Sequence, residues 1–425
     1  MWLIVALSQA TCGGDDDQAD GETAAGTETG STGAAGADGV VPATGQDATS
    51  AESDAGSTGA TAAATDDDSG STSDGDAVAQ DLPLLPPGAH LGMMVTFEAL
   101  PDPVAAAVDA QYGDALDAGM LVGRIHLDWA DVEPTHGQLL PEELEENLVE
   151  MEADGLRPFV GIYALDVNAE TLPADLRDAF LAGTPIDDPQ IVDRYAQMLD
   201  WAVPMIVEHG GWAVSLANEP DEFLSADPAH AQAAAAFYAA ARDHVHTLEP
   251  ELAVTATHTG TAALVGDPFL AVVMASLDFA TFNYYPIDID RGLVLYGDDL
   301  ADRVSADLDR FIAAAEGKQV VFQELGCPAG YVDTTTTLGA TPEIQEAFFA
   351  QVFGQLQARP ELRVAFVFQM VDWSDELTQL IYGDLLAKVS PPFADNFVEW
   401  LRTTGLVTYE TGAPRPAWQT FVGAL

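Results

Sequence analysis

The chain has 425 residues, and its 14 Lys and Arg stand against 69 Asp and Glu, which gives a formal net charge of −55. Nucleic acids and anionic membrane faces are bound through clustered Lys and Arg, so this balance argues against both as partners. The charge indicates either a need for solubility or adaptation to a saline medium, and both interpretations stay open.

The N-terminal segment up to Cys12 is apolar and too short to span a bilayer as a helix. It is typical of the apolar part of a signal peptide, here residues 1–12. Because Gly-Gly-Asp-Asp-Asp follows Cys12, the segment resembles that of a bacterial lipoprotein. This implies a lipid anchor at Cys12 as the protein's membrane contact and an extracellular or cell-surface location on the outer membrane. Simple secretion is the first alternative, and a cytoplasmic protein is the second.

Residues 13–85 are predicted to be a disordered, acidic linker. From Cys12 to Gln80 the chain is mainly Asp, Gly, Ala, Ser and Thr, without an aromatic residue, Lys or Arg. Such a composition buries too little apolar surface to offset the entropy lost on ordering. Residues 86–425 are rich in Val, Leu, Phe, Trp and Tyr, and their length suits one barrel of about 250 residues with insertions.

Strand-like and helix-like runs alternate through this second part. The predicted strands are 90–97, 121–127, 157–164, 213–217, 252–257, 279–283, 319–323 and 364–370. Amphipathic segments between them, such as 141–153, 191–207, 229–248, 300–315 and 342–356, have helical spacing. The alternation predicts an α/β fold, the (β/α)₈ TIM barrel. A doubly wound open sheet competes with it, but no Gly-rich phosphate turn follows the first strand.

Two glutamates end predicted strands that are far apart in the sequence. Glu219 lies in Ala-Asn-Glu-Pro after the fourth strand, and Glu324 lies in Gln-Glu-Leu-Gly after the seventh. The C-terminal strand ends of a parallel barrel meet at the face that carries its active site. Glycoside hydrolysis uses two carboxyls at that kind of site. Either glutamate alone is better explained as a loop carboxylate, but the pair predicts a catalytic centre.

With these motifs, residues 88–425 resemble glycoside hydrolase clan A, the retaining (β/α)₈ enzymes with catalytic glutamates on strands four and seven. Asn218-Glu219-Pro220 matches the clan's Asn-Glu-Pro. The match implies that Glu219 is the acid/base and that Asn218 contacts the sugar 2-hydroxyl. Phe-Gln-Glu324-Leu-Gly matches the nucleophile strand, so the resemblance makes Glu324 the nucleophile.

Two further strands extend the resemblance. On the second strand, a run from Arg124 through Trp129 to Glu-Pro-Thr-His-Gly137 is similar to a segment of the clan. Arg124 is thereby implied to keep the nucleophile ionised. On the sixth strand, Asn283-Tyr-Tyr285 is similar to the clan's His-x-Tyr position. Tyr285 is the implied hydrogen-bond partner of Glu324, with Asn283 replacing a common histidine.

Aromatic residues near the strand ends are candidates for stacking against a sugar ring. The resemblance places Trp373, after the eighth strand, at the cleavage site, and Trp129 is a second candidate. Each could instead pack in the core. His258, at the end of the fifth strand, is a weaker candidate for the rim of the site.

Other site chemistries have less support. Cys327 lies three residues after Glu324, but no His-Cys arrangement accompanies it, and a packing role is favoured over a catalytic thiol. The spacing of Asp131, Glu133 and His136 matches no common metal motif. We expect no metal, no cofactor and a monomer whose partner is a carbohydrate.

The sequence therefore predicts a retaining glycoside hydrolase that cleaves a β-linked poly- or oligosaccharide. One alternative is a barrel without catalysis that binds carbohydrate at the cell surface. The other is a transglycosylase that uses the same two acids.

Overall fold

The computed structural model describes residues 82–96, 98–167, 169–286, 297–332, 339–386 and 391–425. The predicted signal peptide, Cys12 and the predicted linker up to residue 81 lie outside the described residues. Among the described residues, no helix combines the length and apolar character needed to cross a bilayer.

Eight parallel strands form the closed barrel. They are β1 (His90–Met93), β2 (Val122–Asp128), β3 (Arg157–Asp166), β4 (Ala213–Asn218), β5 (Ala253–Thr259), β6 (Ala280–Tyr284), β7 (Val320–Leu325) and β8 (Leu362–Val367). Each strand pairs with the next one in the chain, and β8 pairs with β1 to close the ring. The predicted (β/α)₈ barrel is confirmed.

Helices surround the barrel. They are α1 (Asp102–Ala118), α2 (Trp129–Val132), α3 (Glu142–Ala153), α4 (Ala174–Leu181), α5 (Pro189–Glu208), α6 (Asp221–Ala226), α7 (Pro228–Leu248), α8 (Gly260–Val265), α9 (Phe269–Met274), α10 (Leu300–Ala314), α11 (Pro342–Ala358), α12 (Asp375–Leu386), α13 (Pro391–Leu401) and α14 (Pro416–Ala424). Short strands Ala169–Glu170, Tyr331–Val332 and Gly339–Ala340 lie outside the ring. Gly155 and Gly317 follow α3 and α10 with φ of +74° and +84°, the left-handed conformation that ends many helices.

Period-two alternation along the strands separates two layers of the core. On β2, Ile125 and Leu127 belong to the large cluster between the barrel and its helices. Arg124 directly precedes them, on the opposite face in the alternation, and reaches across the barrel to β7, where it donates to the carbonyl oxygen of Gln323 at 3.0 Å. Because alternate residues point to opposite faces of a strand, one sequence supplies both the outer packing and the inner site.

The end of the barrel where the strands begin is closed by apolar side chains. The inner cluster there takes residues from seven strands or their N-terminal flanks: Val122, Phe159, Trp212, Ala213, Ala253, Phe279, Val321, Val364 and Phe366. Leu82 and Leu85 pack against it from below and are 3% and 6% exposed. Leu82 and Leu85 are thus part of the core at this end of the barrel.

Arginines fix the chain that enters this closed end. Arg157 donates to the carbonyl oxygen of Leu84 at 2.7 Å, and Arg363 donates to those of Pro86 and Gly88 at 3.0 and 2.9 Å. Their hydrogen bonds satisfy backbone carbonyls that the strands do not pair.

Candidate active site

Glu219 occupies a strained backbone position directly after β4. Its φ is +46°, a left-handed conformation that costs a residue with a Cβ about 1–2 kcal/mol. Pro220 follows and stops further strand pairing. The Glu219 N–H donates to the carbonyl oxygen of Thr257 on β5 at 2.8 Å. The turn therefore directs the Glu219 carboxyl over the end of the barrel, where it is 5% exposed.

Glu324 lies on β7, and a register irregularity between β6 and β7 precedes it. A bulge of this kind lets consecutive residues face the same side of a strand. Both Gln323 and Glu324 accordingly reach site residues. Arg124 Nη2 donates to Glu324 Oε1 at 2.9 Å, and the Tyr285 hydroxyl donates to Glu324 Oε2 at 2.6 Å. Two charge-assisted bonds stabilise the negative charge of Glu324.

Asn283 connects the two glutamates. Its Nδ2 donates to Glu219 Oε1 at 2.9 Å and to Asn218 Oδ1 at 3.1 Å. Its Cα is the register partner of Glu324 across the β6–β7 pair. The structure therefore brings Glu219 and Glu324 to one end of the barrel, within a single hydrogen-bonded network.

The carboxyls of Glu219 and Glu324 have different electrostatic surroundings. Burial, followed by the negative charge of Glu324, raises the pKa of Glu219 well above its usual value, against the opposing bond from Asn283. Burial and the same charge raise the pKa of Tyr285, which keeps its hydroxyl a donor. Of the two carboxyls, Glu219 is thus the one suited to hold a proton, while Glu324 forms the ion pair with Arg124.

Gln323 is a central residue of the network that the sequence analysis missed. Its Nε2 donates to Asn218 Oδ1 at 2.9 Å, while its Oε1 accepts from Tyr163 at 3.0 Å and from Thr257 at 2.7 Å. These bonds tie β3, β4, β5 and β7 together beneath the glutamates. The strand-end position of Gln323 was visible in the sequence, but an amide there carries no motif by itself.

A second missed cluster lies on β2 and β3. His126, Asp128 and Asp166 bring one potential metal-ligating atom each to within 4.8 Å of one another, as no other group of described residues does. Asp166 Oδ1 accepts from Asn218 Nδ2 at 2.8 Å, which joins the cluster to the acid side of the site. The alternation Arg124-x-His126-x-Asp128 was the signal that could have revealed it.

Trp129 lies in the core, in the position expected for the alternative of simple packing. Its side chain is fully buried, and its ring packs edge-on against Tyr195 at a centroid distance of 4.9 Å. Its Nε1 donates to Glu133 Oε2 at 3.1 Å. Glu133 also accepts from Gly137 N at 2.9 Å and from Arg194 Nε at 2.8 Å. These contacts join the loop after β2 to α5, and stacking of Trp129 against a sugar stays a prediction.

Three other candidates are also buried. Trp373 is 2% exposed, its ring lying 6.2 Å from that of Phe368, and its contact with sugar stays a prediction. His258 is fully buried, with Nδ1 at 3.4 Å from Asp221 Oδ1, so it does not line the rim. Cys327 is a buried free thiol whose pKa is raised by burial, which fits the packing role.

Solved structures include barrels of the same fold. A GH5_18 protein from Streptomyces cattleya in complex with GlcNAc has a TM-score of 0.59 and 16% identity, covering 80% of each chain. A GH5_18 variant from Bifidobacterium longum subsp. longum ATCC 55813, in complex with Manβ1-4GlcNAc, has a TM-score of 0.56 and 16% identity, covering 79% of this chain and 77% of that one. This chain shares their barrel fold.

An exo-β-1,4-mannosidase from Opitutaceae bacterium strain TAV5 has the fold as well. Its TM-score is 0.56 at 15% identity, covering 81% of this chain and 61% of the mannosidase. No protein-family model and no curated protein matched the chain. Because one fold hosts many activities, the chemistry of this chain has to be argued from its own side chains.

Proposed function

We propose that the protein is a retaining glycoside hydrolase that cleaves a β-linked poly- or oligosaccharide by double displacement. The observation that carries the proposal is the pairing of a proton-holding Glu219 with a charged, doubly hydrogen-bonded Glu324 in one network. Two carboxyls kept in different protonation states are what the reaction requires.

In the first step, Glu324 attacks the anomeric carbon and forms a glycosyl ester. The bond from that carbon to the glycosidic oxygen breaks, and the proton of Glu219 passes to the departing oxygen. Asn283 holds Oε1 of Glu219, which leaves Oε2 to carry the proton. In the second step, Glu219 removes a proton from water, and the water oxygen displaces Glu324 from the sugar.

Arg124 and Tyr285 tune the nucleophile in this scheme. Both donate to the Glu324 carboxylate, so they hold its two oxygens in a fixed orientation before attack. Asn218 has one N–H committed to Asp166 and a second amide hydrogen left for a sugar hydroxyl. These contacts support the roles that the clan A resemblance implies.

The shared fold supports a β-glycoside as substrate. The Bifidobacterium barrel was solved with Manβ1-4GlcNAc, and the Opitutaceae neighbour is an exo-β-1,4-mannosidase. β-Mannosides therefore head the substrate panel, followed by β-glucans, galactans and xylans.

Covalent trapping tests the proposal directly. A 2-deoxy-2-fluoro glycoside with an activated leaving group should label the protein at Glu324, as read by peptide mass spectrometry. Glu324→Gln should retain the fold and lose turnover by on the order of 10⁴-fold or more. Absence of the label together with retained sugar binding would instead identify a non-catalytic carbohydrate-binding barrel.

We also propose that the protein is exported and lipid-anchored through Cys12. The apolar segment before Cys12 and the polar residues after it support this location. Fatty-acid labelling of the full chain, compared with a Cys12→Ser variant, tests it: an unlabelled wild-type protein would contradict the anchor.

A further inference from the structure

The inner face of β2 carries three polar side chains in sequence: Arg124, His126 and Asp128. Ile125 and Leu127, between them, pack in the outer core. Asp128 is the last residue of β2, and Asp166 is the last of the neighbouring β3. Because both residues end strands of the barrel, they lie at the same end as Glu219 and Glu324.

His126 and Asp166 form a hydrogen bond with each other, and each has a second hydrogen-bond partner. Arg124 Nη2 lies 3.2 Å from His126 Nδ1 and donates to it, so the imidazole hydrogen is on Nε2. Nε2 then donates to Asp166 Oδ2 at 3.0 Å. Asp166 Oδ1 accepts from Asn218 at 2.8 Å. Both side chains are therefore fixed in orientation by their hydrogen bonds.

Asp128 differs from these neighbours. It is 8% exposed, and no described residue donates a hydrogen bond to its carboxyl; its Oδ1 is buried without a partner. Burial, followed by the negative charges of Asp166 and Asp131, raises the pKa of Asp128 to about 8. A buried carboxyl without a partner lowers stability, so a ligand that supplies hydrogen bonds gives the best account of it.

A metal ion is a poor candidate for that ligand. Both nitrogens of His126 and both oxygens of Asp166 already take part in hydrogen bonds. Asp128 alone would remain to bind the ion, and a site for a hard cation needs several oxygen ligands.

Sugar hydroxyls suit the cluster better. A carboxyl accepts hydrogen bonds from two neighbouring hydroxyls and, when protonated, also donates one. The cluster is linked to both glutamates. Arg124 connects it to Glu324, and Asn218, which precedes Glu219, connects it to the acid. A sugar at Asp128 would therefore be part of the substrate whose bond is cleaved.

The charge of the pocket restricts the sugar further. Glu324 forms an ion pair with Arg124, and Asp166 accepts hydrogen bonds from His126 and Asn218. Among the described residues, the cation that touches these two carboxyls is Arg124, directly or through His126. Arg124 is committed to Glu324, to Gln323 O and to His126. A uronic acid would add a buried negative charge without its own cationic partner, which is unfavourable.

We propose that Asp128 binds hydroxyl groups of the substrate and makes the pocket selective for uncharged sugars over uronic acids. The inference rests on the proposed glycosidase activity and names its substrate class.

Kinetics of Asp128→Asn test the inference, with Asp131→Asn as the matched control in the same segment. The substrates are aryl β-glycosides and β-1,4 tetrasaccharides of mannose, glucose and xylose, against the corresponding glucuronides. For wild type, kcat/KM on the best neutral substrate should be about 100-fold higher than on any uronide. Asp128→Asn should lose about 10- to 100-fold on that substrate, and Asp131→Asn about twofold or less.

Melting temperatures separate a binding role from a structural one. Because Asp128→Asn removes an unpartnered buried acid, its Tm should equal or exceed that of wild type. A lower Tm that accompanies the lost activity would assign Asp128 a structural role and overturn the inference. Unchanged kcat/KM in Asp128→Asn, or uronides cleaved as well as neutral sugars, would also overturn it.

Covalent labelling distinguishes failure of this inference from failure of the proposed function. If wild type cleaves no glycoside and the fluoro sugar does not label Glu324, the glycosidase proposal is wrong and the inference falls with it. If Glu324 is labelled but Asp128→Asn behaves as wild type, the inference alone is wrong.

Discussion

The two ends of the barrel use the same strands in opposite ways. At the closed end, the inward-facing side chains are apolar, and Val122, Phe159 and Val364 belong to one buried cluster. At the open end, the inward-facing side chains include Arg124 and Glu324, an ion pair with almost no exposed surface. Burying apolar groups stabilises a fold, whereas burying charges costs solvation. The closed end therefore maintains the barrel, and the open end is specialised for chemistry.

Backbone irregularity is partly divided in the same way, although one register shift, between Leu362 and Val364, lies at the start of β8. The register shifts between Ser215 and Asn218 and between Phe282 and Asn283 fall toward the open end. Glu219, with its φ of +46°, lies there too. Strain and irregular pairing at a functional end are tolerated because the remaining structure is well packed. Mutations at the two ends should consequently separate stability from activity.

After that of Glu324→Gln, the largest expected effect is on the rate of the Glu219→Gln variant. Loss of the general acid should lower kcat on substrates with poor leaving groups by on the order of 10²–10⁴-fold, and less with a dinitrophenyl leaving group. Its Tm near neutral pH should change little, because an amide replaces a protonated carboxyl. An equal loss on both kinds of substrate would contradict the acid role.

The pH profile sharpens this test. Glu219 must be protonated to act, and burial raises its pKa, so wild-type activity should persist toward neutral pH and fall as pH rises through that raised value. The same sign applies to stability: the folded protein retains a proton that the unfolded chain releases, so stability falls over that range. The Glu219→Gln variant should lack this contribution to the alkaline decrease.

At the closed end, Phe159→Ala should act on stability instead. Phe159 is fully buried, and its ring lies 5.4 Å from that of Trp212 and 5.7 Å from that of Phe366. Its truncation should lower the free energy of unfolding by about 3–5 kcal/mol, measured by denaturant titration. The kcat of the folded protein should stay within about twofold. Val149→Ala, at a residue 49% exposed, is the control.

A smaller effect is expected for Tyr285→Phe. The change removes the hydroxyl that donates to Glu324 at 2.6 Å. Because a bond to a charged group is worth about 1.5–3 kcal/mol, kcat should fall roughly 10- to 100-fold with little change in Tm. Tyr382→Phe removes a similar bond, to Asp395 at the surface, and should leave kcat unchanged. Equal kinetics for the two variants would contradict the role of Tyr285.

The smallest expected effect is that of salt on the whole chain. Because the net charge is −55, screening of self-repulsion should raise the Tm by a few degrees between low and molar salt. A flat Tm would leave solubility as the explanation of the acidic composition.

The barrel could be predicted because its pattern is local. Each strand is a short apolar run, and each amphipathic segment shows helical spacing, so alternation alone indicates the architecture. The observed strands begin and end within a few residues of those predicted, apart from β1, which ends at Met93. The entry of Leu82 and Leu85 into the closed end was missed because it depends on tertiary packing of two leucines beside prolines.

The site was predictable where a residue both ends a strand and carries a motif. Glu219, Glu324, Asn218, Asn283, Tyr285 and Arg124 come together in one network. The burial of Trp129 could not be predicted because its packing partner, Tyr195 on α5, is distant in sequence. Asp128 and Asp166 were missed because single carboxylates at strand ends resemble ordinary loop acids until their neighbours are known.

Leu82 and Leu85, which pack at the closed end, also affect how the molecule can be attached to a solid support. Because Leu82 and Leu85 pack at the closed end, a support coupled at that end leaves the opposite face pointing outward. Long polymers could then approach without passing the point of attachment.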